Sequence, residues 1–593
     1  MTIDQILLFA LFVAVFALLL WGRFRYDLVA FGALLVAVVL GLVPAEAAFS
    51  GFGHHATIIV ALVLVVSAGL TRSGAVQLIT RTVIDSSRSV SQHVALMGAV
   101  GAVLSGFMNN VAALALLMPV DIQTARKAKR PPGSTLMPLS FATILGGMVT
   151  LIGTPPNIII AAIRQEQLGA SFRMFDFAPV GGITALAGLA FVTLIGWRLI
   201  PRSARESDPT EQLRDTSAFI AELAVPEGSD WIDRKVGDLY DTADEADVSI
   251  IGLIRGGSRR YGSARGTALR ADDILILEAQ ADALDAFRSS LGFSYTDADR
   301  REVIEGEAQG LALTEVVVPR DARIAGRSAQ SVGLHWRQRA VIVGISRQGR
   351  RITEHLRRAV IEPGDILLLL SPAETGTQVA NWLGCLPLAE RGLSVTQESK
   401  TWLAIGLFAA AVLLASLGWI SLPVGLGLVV VGYVLTGIVP LTELYDQIEW
   451  PVVVLLGSMI PLGKALEASG GTELLAGSLV GLTGGMPAWA ILTVLMVVTM
   501  SLSDVLNNTA TTIVAAPVGI EMARALGVSP DPFLMAVAVA ASCAFLTPIG
   551  HKNNTLILGP GGYRFGDYWR MGLPLEVLVI AVSIPAILLF WPM

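Results

Sequence analysis

Runs such as 6–20 and 29–43 contain no Asp, Glu, Lys or Arg, and a water-soluble core has no room for many runs of that kind. About 20 mostly apolar residues in a helix cross a bilayer core, and at least ten segments approach that length. The expected spans are 3–21, 27–43, 56–70, 93–120, 136–163 and 178–199, then 401–418, 423–439, 451–466, 487–518, 532–557 and 572–592. The chain is 53% hydrophobic and 15% charged, against roughly 25% charge in soluble proteins. Its charge is concentrated in residues 201–399, which read as a soluble insert. The expected fold is therefore an all-α polytopic membrane protein carrying an α+β insert. Its units are a membrane half at 1–200, two insert domains at 210–296 and 310–390, and a second membrane half at 400–593.

The remaining composition mainly excludes. Cys385 and Cys543 offer neither a disulfide framework nor metal spacing. The six histidines form no HExxH pattern, and a net charge of −6 argues against nucleic acid as a partner. The first apolar stretch lacks a basic leader and a small-residue cleavage site, so it reads as a retained helix.

Loop charge sets the orientation. Arg72, Arg81 and Arg88 flank one end of 93–120, and Arg126, Lys127, Lys129 and Arg130 flank the other. Both ends belong in the cytoplasm only if 93–120 enters and leaves by the same face, as a re-entrant hairpin. The stretch 465–531 carries one basic residue, Arg524, so 487–518 is expected as a hairpin opening outward. The halves are then inverted, with 201–399 in the cytoplasm of a cell whose inner membrane holds the protein.

Internal repetition supports that inversion. Leu104-Ser-Gly-Phe-Met-Asn-Asn-Val-Ala, continued to Pro119-Val120, aligns with Leu502-Ser-Asp-Val-Leu-Asn-Asn-Thr-Ala, continued to Pro517-Val518. Seven of seventeen positions are identical at an offset of 398. Thr150-Leu-Ile-Gly-Thr-Pro-Pro-Asn157 matches Thr547-Pro-Ile-Gly-His-Lys-Asn-Asn554 at an offset of 397. Ser73-Gly74 and Ser469-Gly470 echo one another in the same order. Paired membrane segments interrupted by Gly, Pro and Asn point to a transport site at mid-membrane. Unwinding a membrane helix frees backbone groups that lipid cannot satisfy, so the break must line a cavity or hold a ligand.

The polar residues at these interruptions form the candidate site. Asn109-Asn110 and Asn507-Asn508 sit at the expected hairpin tips, with Ser105 and Ser503 one turn before them. Amide and hydroxyl oxygens suit a hard cation such as Na+, while amide hydrogens suit an anion. A helix cap or an interhelical bond is the ordinary alternative for one Asn; two duplicated pairs beside duplicated breaks favour a site. Gly153-Thr154-Pro155-Pro156-Asn157 and Gly550-His551-Lys552-Asn553-Asn554 are the breaks. His551 suits an anionic substrate or a coupled proton, whereas Lys552 is expected to snorkel to the surface. Asp504 is the nearest acidic residue and is expected to face water outside.

These hairpins and breaks resemble the divalent-anion/sodium symporter family, within the ion-transporter group that includes citrate and arsenite permeases. The resemblance covers both membrane halves. It implies an elevator-type homodimer carrying a small anionic substrate, sulfate or a C4-dicarboxylate, with Na+ as coupling ion. The family's Ser-Asn-Thr signature corresponds to Asn109-Asn110-Val111 and Asn507-Asn508-Thr509, with Val111 replacing one hydroxyl. By the same resemblance one sodium site uses Ser105, Asn110 and Gly153, and the other Ser503, Asn508 and Gly550. Substrate contacts are expected from Asn109, Asn110, Thr154, Asn507, Asn508, Thr509 and His551.

The insert repeats as well. Ile251-Gly-Leu-Ile-Arg255-Gly-Gly257 matches Val343-Gly-Ile-Ser-Arg347-Gln-Gly349, and Asp273-Ile-Leu matches Asp365-Ile-Leu, at an offset of 92. This pattern resembles two tandem copies of the C-terminal subdomain of potassium-conductance regulators (TrkA-C or RCK-C), which implies a regulatory part. Without GxGxxG, the NAD-binding half of such regulators is missing. Arg255, Arg259, Arg260 and Arg347, Arg350, Arg351 are candidates for a nucleotide or other anionic effector, with a solvated face as the ordinary alternative. Two rival functions differ in class. One is a cation channel or exchanger gated by the insert, which predicts flux without an anionic substrate. The other is a carrier-fold sensor, which predicts saturable binding without flux.

Overall fold

The computed structural model describes all residues except 22–23, 76–87, 207–218, 247, 257, 262–265, 280, 296–310, 321, 339, 349, 353–357, 373–374, 389–399, 483–484 and 507. It is mostly helical. The first half comprises α1 (Ile3–Trp21), α2 (Tyr26–Val39), α3 (His55–Arg72), α4 (Val90–Phe107), α5 (Asn110–Lys127), α6 (Leu136–Gly147), α7 (Pro155–Leu168) and α8 (Ala178–Phe191, continued to Leu199). After the insert, which contains α9 (Ala281–Leu291) and α10 (Gly376–Leu383), come α11 (Thr401–Ser416), α12 (Leu422–Leu435) and α13 (Trp450–Ala468). They are followed by α14 (Gly471–Leu482), α15 (Ala488–Ser503), α16 (Asn508–Leu526), α17 (Asp531–Ser542), α18 (Lys552–Leu558) and α19 (Tyr568–Phe590).

Among the described residues, five helical stretches are long and apolar enough to cross a membrane: Ala45–Arg72, Val90–Phe107, Ala178–Leu199, Trp450–Ala468 and Phe565–Phe590. Outer faces of these and of the shorter helix α12 remain apolar. Leu186, Leu428, Leu435 and Val577 are all exposed, which a bilayer accommodates and water would penalise. The expected spans coincide with these helices to within a few residues, and the four longest resolve into helix pairs. Among the described membrane helices, α14 lies outside the expected spans, because its Gly and Ser content hides a short apolar segment.

The reason for each division is local. α4 ends because Met108 is extended, and Asn109 caps α5 by accepting the Val111 amide at 2.9 Å. Between α6 and α7 the chain leaves the helix at Met148 and re-enters at Pro155-Pro156, whose missing N–H groups cost nothing at a helix start. The second half repeats this with α15 and α16 as the pair, and α17 and α18 on either side of 543–551.

Polar contacts between helix ends fix their directions relative to the insert. The Thr401 hydroxyl donates to the Ser73 carbonyl, so α3 ends on the side where α11 begins. Arg130 reaches the Arg88 carbonyl, so α4 begins where α5 ends, and Arg126 of α5 lies 3.5 Å from Glu315 of the insert, which puts both on the insert side. On the far side Arg164 pairs with Asp531 at 2.8 Å, placing the end of α7 beside the start of α17. The α4–α5 pair therefore starts and finishes on the insert side, and the α15–α16 pair on the far side. α4 to α8 and α15 to α19 pack together as one body. α1 to α3 and α11 to α13 form a frame beside it, touching the body where α3 meets α7 and α13 meets α16.

The insert is two five-stranded antiparallel sheets. Strands β1 (Phe219–Ala224), β2 (Ser249–Arg255), β3 (Ser258–Tyr261), β4 (Ile274–Ala279) and β5 (Ser294–Tyr295) take the order β3-β2-β4-β1-β5. Strands β6 (Leu311–Val317), β7 (Val341–Arg347), β8 (Arg350–Ile352), β9 (Ile366–Pro372) and β10 (Leu386–Pro387) take the matching order β8-β7-β9-β6-β10. Every strand of the second sheet begins 92 residues after its counterpart. Even the register shift recurs, between Ile250 and Gly252 and between Ile342 and Gly344. Each sheet has its own core, and Ile254 and Ile276 of one pack with Val341, Val343, Leu368 and Leu370 of the other.

Candidate transport site

At the tip of the α4–α5 pair, Ser105 donates to Asn110 Oδ1 at 2.5 Å. Both are buried. The oxygens around them are drawn together by glycine. A Cβ on Gly147 would lie 2.2 Å from Asn110 Oδ1, and one on Gly153 would lie 2.4 Å from the Gly147 carbonyl and 2.9 Å from the Ser105 carbonyl. A side-chain amide oxygen, a hydroxyl and two carbonyls thus converge where only glycines fit, a neutral oxygen set suited to a hard monovalent cation. The break is held open from behind. Asn157 donates to the Thr150 carbonyl at 2.9 Å and the Met148 carbonyl at 3.3 Å, while Thr150 donates to the Gly106 carbonyl. Thr154 is buried with its hydroxyl left without a hydrogen-bond partner, which marks a position able to meet a ligand.

The second half uses the same framework with a different inner arrangement. Asn554 donates to the Thr547 and Ala544 carbonyls at 3.1 and 3.0 Å, as Asn157 does in the first break. Gly550 again faces backbone closely, its Cβ position lying 2.8 Å from the Asp504 carbonyl. Ser503, however, donates to the Ala541 carbonyl at 2.6 Å and not to Asn508. Asn508 accepts the Thr509 amide at 3.0 Å, so its side-chain oxygen is bound at the start of α16. Asn507 lies outside the described residues.

Asp504 does not face water, contrary to the sequence expectation. It is 2% exposed and accepts the Leu546 amide at 2.9 Å, while Glu576 on α19 reaches the same break and accepts the Phe545 amide at 3.3 Å. Helix α19 folds back over the break and carries Glu576 into it, a long-range approach with no local signal.

His551 joins the two halves. Its Nδ1 accepts the Asn553 amide at 3.1 Å, and its Nε2 lies 3.5 Å from the Asn110 amide nitrogen. Asn553, which the sequence marks only as part of the break, donates to the Asn110 carbonyl at 3.1 Å and to Thr143 at 2.9 Å. Its neighbour Asn554 drew attention because it repeats; Asn553 has no repeat partner to reveal it. A cavity of about 430 Å³ opens beside this cluster, lined by Asn109, Asn110, Asn508, Thr509, Gly550 and His551. Lys552 also lines it and pairs with Glu449 of the frame at 2.6 Å, so it is tied across the cavity mouth.

The insert arginines are engaged within their own units. Arg255 grips Asp273 at 2.5 and 2.7 Å and the Ala268 carbonyl at 2.6 Å. Arg347 grips Asp365 at 2.8 and 2.9 Å and the Val360 carbonyl at 2.6 Å. Each carboxylate holds its guanidinium above the ordinary arginine range. These bonds tie a hairpin to the following turn, a structural part for both residues. Arg259, Arg260, Arg350 and Arg351 have side chains outside the described residues.

The citrate transporter family profile matches residues 16–518 and 483–593. The chain belongs to the citrate transporter family. An uncharacterized transporter of Synechocystis sp. is 30% identical over 561 residues, which cover 92% of this chain and 91% of the relative. Sodium/sulfate cotransporter 2 of Chlamydomonas reinhardtii is 27% identical over 351 residues, 55% of this chain and 38% of the relative. The Na+/citrate cotransporter of Rattus norvegicus is 29% identical over 136 residues, 23% of this chain and 24% of the relative. This member of the family is a membrane transporter, not an enzyme.

Proposed function

We propose that the protein is a sodium-coupled symporter of a small divalent anion, sulfate first and a C4-dicarboxylate second. The observation that carries this reading is the convergence of Ser105, Asn110, Gly147 and Gly153 oxygens beside a cavity walled by Asn508, Thr509 and His551. The oxygens hold Na+, through Ser105, Asn110 and Gly153 in one half and Ser503, Asn508 and Gly550 in the other. Substrate contacts come from Asn109, Asn110, Thr154, Asn507, Asn508, Thr509 and His551. The hairpin tips carry no Arg or Lys, so the anion is offset by bound Na+ and by amide and hydroxyl dipoles. Coulomb attraction between neighbouring ions is strong in a site shielded from water. The relatives named for sodium with sulfate and for Na+ with citrate support the same coupling.

In this reading the hairpin body moves against the frame as an elevator, within a homodimer in a bacterial inner membrane. The insert lies in the cytoplasm and regulates transport, and the cavity, which borders the insert, opens inward. The test is uptake of labelled sulfate, succinate and citrate into proteoliposomes, with and without an inward Na+ gradient. Gradient-driven accumulation that falls at least tenfold in Asn110→Ala and in Asn508→Ala is the expected result. Uptake that ignores Na+, or that survives both substitutions, overturns the proposal.

A further inference from the structure

The second insert unit shares a core with the membrane helices. Val317 on β6, Ile366 on β9 and Leu388 just after β10 are buried in the same apolar cluster as the helices. Gly364 turns at φ +89°, and its carbonyl approaches Gly559 so closely that a Cβ there would sit 2.0 Å away. Glu315 on β6 is buried and lies 3.5 Å from Arg126 on α5. Arg320 donates from Nη1 to the Ile549 carbonyl at 3.0 Å. Arg126 belongs to the first helix pair, and Ile549 and Gly559 flank α18. The unit is therefore joined to the hairpin body.

The cavity gives those contacts a function. Arg320, Ala325, Gly326 and Pro363 line the same cavity as Asn110 and His551. Ile549 immediately precedes Gly550, whose backbone lies against the Asp504 carbonyl. A guanidinium is a rigid, permanently charged donor, and here it fixes one peptide of an unwound segment that has few backbone bonds of its own. We propose that the second insert unit forms a wall of the transport cavity, and that Arg320 is a positioning residue which sets the Ile549–Gly550 backbone and thereby the cation affinity of the second break. The cation in this proposal rests on the sodium-symport reading. The wall moves with the hairpin body, so anything that shifts this unit acts directly on the break.

Two measurements on the full-length protein test this. In proteoliposomes, Arg320→Ala is expected to raise the Na+ concentration for half-maximal uptake about tenfold, with the maximal rate at saturating Na+ changed less than twofold. Arg320→Lys, which keeps a donor, should recover most of that affinity. Arg323→Ala is the control, because Arg323 stacks on Trp382 inside the unit, 4.9 Å from the ring centre, and it should match wild type. Hydrogen exchange needs no sodium: amides of 545–555 should exchange at least fivefold faster in Arg320→Ala than in wild type. Equal exchange in the two proteins overturns the Arg320 assignment whatever ion is carried. Faster exchange with no sodium dependence in wild-type uptake overturns the symport reading and leaves the clamp in place. Faster exchange with an unchanged Na+ requirement overturns the link between the clamp and cation affinity.

Discussion

Gly147 is buried on the last turn of α6, and Asn110 Oδ1 occupies the space its Cβ would need, 2.2 Å away. The three nearest atoms all belong to the buried Asn110 amide, a short side chain held by Ser105 that cannot yield as a long one would. Gly147→Ala should therefore push Asn110 off its oxygen set at a cost of about 1–3 kcal/mol, cutting the proposed sodium-driven uptake roughly 10- to 100-fold. Size-exclusion behaviour and membrane yield should stay near wild type; uptake within twofold of wild type would remove Gly147 from the site. Asn110 itself was legible because it recurs in both halves. Gly147 was not, since its importance arises only from the approach of α5 to α6 around the break.

At the scale of elements, the insert repeats its fastening as faithfully as its strands. Asp365 is 1% exposed and held by Arg347, which keeps about a quarter of its own surface in solvent. Removing the guanidinium strands a buried carboxylate, at roughly 2 kcal/mol after discounting a fully buried pair for that exposure. Cys385 reports on the result because it lies in the same core, where burial pushes its thiol up to about 12. At pH 8 only about 1 thiol in 10⁴ is then ionised in the folded unit, while an opened unit returns to the ordinary thiol range near 8.5. Arg347→Ala should accelerate iodoacetamide labelling of Cys385 at pH 8 by about tenfold or more, and raising the pH should speed labelling of both proteins. Equal labelling rates would mean that the ion pair adds nothing to the unit. The tandem repeat was visible in sequence, because the Arg-Gly turn and the Asp-Ile-Leu strand recur at one spacing; that Arg and Asp pair in each copy was not. The packing of the two sheets face to face was not, since apolar residues on an outer face look the same whatever covers them.

Across the whole molecule, polar ties join the hairpin body to its frame on both sides. On the insert side Lys552 meets Glu449 at 2.6 Å. On the far side Glu166 of α7 meets His54 before α3 at 2.9 Å and Lys464 of α13 at 3.0 Å, and Gln167 meets Glu467 at 2.6 Å. The proposed motion of the body against the frame would have to break the far-side set. Glu166 is about a third exposed and Lys464 about half, so each pair contributes at most about 1 kcal/mol. Glu166→Ala should shift the balance between inward and outward forms by only about two- to tenfold. A cysteine placed at Val505, which lines the cavity, should react correspondingly faster with an impermeant thiol reagent added from the far side. An unchanged rate would show that these ties do not hold the far side shut.

The sequence by itself determined what depends on local composition and on repetition: where apolar helices lie, where Gly, Pro and Asn interrupt them, and which residues recur. Helix length, capping and the loss of backbone bonds at proline act within a few residues, so they can be read along the chain. Only the tertiary structure decided which interrupted segments meet. It brought Asn553 and His551 to Asn110 across more than 400 positions, carried Glu576 to Asp504, and set Arg320 of the insert against the second break. Those meetings depend on how helices cross and on which glycines let backbone approach, and neither leaves a periodic trace in the order of residues.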